Sequence, residues 1–123
     1  MDDREADRQA LVARYRELVD HELPAAAARG RWVIRNDHCF GRVLLDDAVG
    51  ACWYDVLDRR AGAAHRQLDD DRLAHAVAQG ERMLAEGDPL VRALDARSLA
   101  WRGKAPKREP GRCAGGTGCE HRM

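Results

Sequence analysis

Leu68-Asp69-Asp70-Asp71-Arg72-Leu73 is the stretch that decides the fold. Asp69 has the short side-chain oxygen that satisfies the unpaired amides of a first helical turn, and Asp70 and Asp71 set negative charge against the positive end of the helix dipole. Leu68 is spaced to staple onto Leu73 across that turn. Leu73, Ala76, Val77, Gly80 and Leu84 then recur at helical spacing, which predicts one buried face. Gly87 stops this helix, Asp88 caps the next, and Pro89 takes a first-turn position where its missing N–H costs nothing. Leu90, Leu94, Ser98 and Trp101 carry the second helix to Gly103.

Working toward the N-terminus, the loop Asp58 to Gln67 precedes Leu68, and before it lies another periodic segment. Phe40, Val43, Leu44, Ala48 and Ala51 keep helical spacing after a cap at Asn36 or Asp37, and the pattern continues through Trp53, Val56 and Leu57. Gly50 interrupts it and is expected to mark a kink, since glycine costs about 1 kcal/mol relative to alanine inside a helix. Trp32-Val33-Ile34 reads as a connector behind the stop Arg29-Gly30. Leu11, Val12, Tyr15, Leu18, Val19 and Leu23 form the face of a first helix, over Asp7 to Ala28, that ends near Pro24 or runs on through the alanines. The expectation is a mostly α protein, a compact bundle of four to five helices, with no internal repeat and no run of alternating strands.

Composition agrees with one such domain. The chain has 123 residues, 45% hydrophobic and 34% charged, enough to bury an ordinary core. Twenty-one Lys and Arg balance twenty-one Asp and Glu, so no field of one sign favours nucleic acid or an anionic membrane as partner. Pro, Gly and basic residues crowd the end of the chain without apolar periodicity, which places a flexible N-terminus at 1–7, a helical domain at 8–102 and a disordered basic tail at 103–123. The charged opening Met1 to Arg8 is unlike a signal peptide, and no apolar run reaches the ~18 residues of a membrane span, so a cytoplasmic address is expected. Cys39 and Cys52 read as small core residues.

Several groups of residues have chemistry worth following. His38, Arg42 and Asp46 are spaced four apart and stack on one helical face, predicting a polar pocket in which Asp46 or Asp47 is partly buried and pairs with Arg42. An arginine held this way suits a carboxylate or phosphate. Asp37-His38-Cys39 holds the residue types of a thiol nucleophile, but neighbouring helical residues point about 100° apart, so no triad is expected among them and no residue is assigned to catalysis. Trp53, Trp101 and Arg102 are large side chains for a core or a partner groove. Cys113, Cys119 and His121 offer metal ligands without a zinc-site spacing, so no metal is expected there.

The segments Asp37-His38-Cys39-Phe40-x-Arg42-Val43-Leu44-Leu45-Asp46, Gly50-x-x-Trp53 and Ser98-Leu99-x-Trp101-Arg102-Gly103-Lys104 resemble a small bacterial family whose reaction is unassigned. The likeness covers about residues 10–104 and implies a shared helical module. Some members are labelled GNAT-type acetyltransferases, and Arg59-Arg60-Ala61-Gly62-Ala63-Ala64 matches the R-x-x-G-x-A loop by which that class presents amides to the coenzyme A pyrophosphate. The residues expected to carry function are therefore His38, Arg42, Asp46, Asp47, Trp53, Trp101 and Arg102. They would serve a non-catalytic accessory or ligand-binding module that needs no cofactor and takes a protein partner or a small anionic ligand. The alternative is an acetyl-CoA-dependent transferase using Arg59, Gly62 and Ala64, and a third reading is a zinc or nucleic-acid binder acting through the tail.

Overall fold

Pro24 shapes the first third of the chain, because a residue without an N–H, whose ring crowds the carbonyl four residues back, cannot sit inside a regular helix. The computed structural model, which describes residues 3–104, shows how the chain accommodates it. Helix α1, Asp3–Glu17, widens into a π-helical turn, Leu18–Glu22, in which Leu23 N donates to Leu18 O. Helix α2, Leu23–Gly30, then resumes with Pro24 in its first turn, where no N–H is required. The helix therefore runs through the alanines. It also begins at Asp3, so the segment expected to be flexible up to residue 7 is helical from there. Asp3 and Glu5 favour the dipole at this end, and Arg8 fastens it by bonds to Asp70 (2.9 Å) and to Arg66 O (2.9 Å).

Arg31 (φ 55°) takes the left-handed position that closes α2. Gly30 is needed for a different reason: a Cβ there would lie 2.6 Å from the Trp32 indole nitrogen, which folds back over the helix end. The connector is tied down by Val33 N, which donates to Asp88 Oδ1 at 3.0 Å. Helix α3 spans Asp37–Val49 and stops there, with Gly50 left-handed at φ 74° and its N–H on Asp46 O. The expected continuation through Leu57 is thus corrected to a helix end followed by a single 3-10 turn, Trp53–Asp55, and, further on, a second, Ala64–Gln67.

Helix α4, Asp70–Glu86, opens as expected, with the Asp69 carboxylate accepting from Arg72 N and with Leu68 and Leu73 both buried. It is the central element, packed against α1, α2 and α3 and against α5, Asp88–Trp101. Asp88 does not cap α5, because its carboxylate is taken by Val33 N and by Arg92 (2.6 Å). Gly103 (φ 72°) ends the helix while Lys104 N donates back to Leu99 O. Leu18, Leu23, Phe40, Val43, Leu44, Leu73, Met83 and Val91 fill the core. Gly80 lets α4 approach the π-helical turn, since a Cβ there would fall 2.9 Å from Leu18 Cδ1. The protein is all-α, with no strand among the described residues. The expected tail, with Cys113, Cys119 and His121, lies outside the described residues beyond Lys104.

Candidate functional site

The site is built around Asp46, which lies on the buried face of α3 and is fully enclosed. A carboxylate taken out of water is costly unless its lone pairs are filled, and here four donors fill them. Oδ1 accepts from Trp53 N (2.9 Å) and Arg102 Nη2 (3.0 Å), and Oδ2 accepts from Ser98 Oγ (2.6 Å) and Arg102 Nε (2.8 Å). The two-pronged grip of Arg102 is the geometry in which a guanidinium binds a carboxylate best. It holds the Arg102 proton more firmly than usual, chiefly through the Asp46 hydrogen bonds and against the opposing effect of burial.

Arg42 does not pair with Asp46, which corrects the expectation drawn from their spacing. Its Nη2 lies 2.5 Å from Asp95 Oδ1, and its Nη1 donates to Ser98 Oγ at 2.8 Å. The Ser98 hydroxyl accepts from Arg42 while donating to Asp46, so one buried oxygen links the two charges that the sequence seemed to join directly. Both acids find their cations across the α3–α5 interface. A direct Arg42–Asp46 pair would have left Asp95, also buried on α5, without its cation. Asp95 was missed in the sequence, although its position four residues after Val91 and three before Ser98 places it on the buried face of α5.

Asp47, expected in the same pocket, belongs to a separate cluster. Its carboxylate, 4% exposed, accepts from His75 Nε2 (2.6 Å) and Gln79 Nε2 (2.9 Å) of α4 and from Arg97 Nη1 (2.8 Å) of α5. His38 is an exposed side chain whose Nδ1 lies 3.4 Å from Asp37 Oδ1. No hydrogen bond joins Cys39 to His38 among the described residues. Trp101 stands exposed at the end of α5 and lines neither of the clefts beside the network.

Two clefts adjoin the Asp46 network and share Tyr54 as a common wall. The first, of about 370 Å³, is lined by His38, Cys39, Arg42, Leu45, Trp53 and Tyr54. The Trp53 and Tyr54 rings stand nearly perpendicular with centroids 4.7 Å apart, forming an aromatic corner. The second cleft, of about 580 Å³, is lined by Tyr54, Leu57, Asp58, Arg59 and Arg60. The Arg59 guanidinium lies 4.2 Å from the Tyr54 ring centre and that of Arg102 lies 4.7 Å from it. Arg102 is neutralised by Asp46, whereas no acid among the described residues pairs with Arg59 or Arg60.

Of the transferase-like loop, Arg59 thus reaches the aromatic corner, Gly62 adopts φ 106° in open space, and Ala64 begins the second 3-10 turn. The strand that would deliver such a loop to a pyrophosphate is absent among the described residues. His65 stacks on Tyr15 at 4.8 Å with its Nε2 buried and unpartnered, and burial, followed by Arg66, lowers its pKa. No group of three or more His, Cys, Asp or Glu among the described residues is placed to hold a metal ion. No protein-family model, curated protein or solved structure matches this chain.

Proposed function

We propose that the protein is a non-catalytic helical module that binds a small anionic ligand on the Tyr54 face. The observation that carries this reading is that Arg59 and Arg60 stand beside an aromatic corner without an ion pair among the described residues, while the Arg42 and Arg102 guanidiniums behind it are held in place by buried carboxylates. A fixed guanidinium next to an apolar wall is the arrangement that favours an anion over its hydration shell. The acids and bases of the buried network compensate each other, so the charge left to a ligand is the outer one. No described helix is long and apolar enough to cross a membrane, and the reading places the module in the cytoplasm, in keeping with its resemblance to a small bacterial family.

Calorimetric titration with inorganic phosphate and with citrate tests this, together with amide NMR shifts. Binding heat accompanied by shifts at Trp53, Tyr54 and Arg59, and lost in Arg59→Gln, is the expected result. Absence of heat and shifts with both anions overturns it. Micromolar binding of coenzyme A abolished by Gly62→Trp would promote the transferase in its place.

A further inference from the structure

Resting on that reading, we infer that the ligand is a flat aromatic molecule carrying a phosphate, with its ring in the Trp53–Tyr54 corner and its phosphate on Arg59 and Arg60. Neither cleft alone accounts for the lining. The first offers Trp53, Tyr54, Leu45 and Cys39, an apolar surface with a flat wall, and at about 370 Å³ it lies in the size range of small-ligand clefts. The second offers charge. Tyr54, 45% exposed, lines both, with the Arg59 and Arg102 guanidiniums over its ring, so a molecule lodged against Trp53 and the edge of Tyr54 meets the cationic cleft as well.

The main chain of the turn that carries the two arginines is held in shape before any ligand arrives. Gln67 grips the main chain of Asp58 with both ends of its amide, accepting from Asp58 N (2.8 Å) and donating to Asp58 O (2.7 Å). Asp58 Oδ1 in turn accepts from Arg60 N at 2.8 Å, closing the turn that carries both arginines. Asp58 is the acid of this cleft; its Oδ1 is engaged on the main chain, and no ion pair joins it or another described acid to either guanidinium. Two adjacent cations match a phosphate dianion better than a single carboxylate, and pre-formed loops lose less entropy on binding. The Arg59 contact with Tyr54 also directs its guanidinium toward the aromatic corner rather than into solvent.

The test is calorimetry with 1-naphthyl phosphate, 1-naphthol, 1-naphthoate and inorganic phosphate as probes. Naphthyl phosphate is expected to bind at least on the order of tenfold more tightly than each of the others, and to lose about that factor in Arg59→Gln and again in Tyr54→Leu, both exposed positions where the fold should persist. Unchanged melting temperatures of the two variants check that persistence. Naphthyl phosphate no tighter than inorganic phosphate would overturn the aromatic half while leaving the anion-binding reading intact. Naphthoate equal to naphthyl phosphate would overturn the assignment to a dianion. Naphthyl phosphate binding that ignores both variants would place the ligand elsewhere and overturn the inference, and no binding by any of the three anions would remove the underlying reading as well.

Discussion

Asp46 illustrates how much a single residue's role depends on what lies across from it. In the sequence it is an acid four residues from an arginine; in the fold it is the enclosed acceptor of four hydrogen bonds. That Asp46 or Asp47 would be partly buried was legible from the apolar residues Val43, Leu44, Ala48 and Val49 around them, and Trp53 and Arg102 were legible as candidates without being placed beside Asp46. The pairing was not, because an i,i+4 contact is open to any helix, and only the α3–α5 packing shows that Asp95 and Arg102 compete successfully for the two charges. Asp46→Ala strands the Arg102 charge at 12% side-chain exposure and should destabilise by about 3–5 kcal/mol, measured by urea denaturation. His65 gives a second residue-scale prediction. Its pKa is lower in the folded state than the ordinary 6.5, so the unfolded state binds more protons just below that value. Stability should therefore be full above pH 6.5 and fall as the pH drops toward the folded value. His65→Phe, which also removes the unpartnered Nε2, should abolish the decline between pH 7 and 5. Glu81, lowered from 4.5 by its Arg14 hydrogen bond, acts only below that window.

At the scale of elements, a signal that acts within one turn was legible where nothing farther along the chain competed for its atoms: Asp69 caps α4, whereas Asp88 gives its carboxylate to Val33 N and Arg92 instead of capping α5. The Asp69 cap and the stop at Gly87 involve atoms a few residues apart and both formed, with Leu68 and Leu73 buried beside the cap. Gly50 was misread because Trp53, Val56 and Leu57 happen to continue the helical spacing. What ends α3 is the left-handed Gly50, after which Trp53 N turns back onto the Asp46 side chain. Pro24 could be flagged but its outcome could not, since a π-helical turn depends on the packing of Leu18 and Val19, both buried. Gly80 tests this packing. Alanine there gains up to about 1 kcal/mol of helix propensity, but its Cβ meets Leu18 Cδ1 at 2.9 Å in a fully enclosed place, and overpacking costs about 1–3 kcal/mol. Gly80→Ala should destabilise by about 1 kcal/mol. A stabilised variant in thermal melts would mean that the π-helical turn yields easily.

For the whole molecule, the adjacent acids Asp46 and Asp47 divide the work of holding α3 to its neighbours. Asp47 faces both α4 and α5, and its charged partners His75 and Arg97 are about half exposed and can turn to water when it is lost, which leaves the buried Gln79 as the one partner that loses a bond it cannot replace so easily. The partners of Asp46 are Ser98, which is enclosed, and Arg102, which is nearly so. Removal of Asp47 should therefore cost about 1–2 kcal/mol, below the loss at Asp46, because exposed pairs contribute little and one buried amide loses a single bond. The two losses should also differ in where they fall. Helix α4 is held on several sides by apolar packing with α1, α2 and α3, whereas the last turns of α5 dock on α3 through Asp95, Ser98 and Arg102. Amide exchange in Asp46→Ala should thus rise on the order of a hundredfold over Leu94 to Trp101 while Leu73 to Met83 stays protected, and Asp47→Ala should leave both segments nearly unchanged. A uniform loss of protection along all the helices would show instead that α5 cannot open without the rest, and that the buried network serves the stability of the entire bundle rather than the docking of one helix.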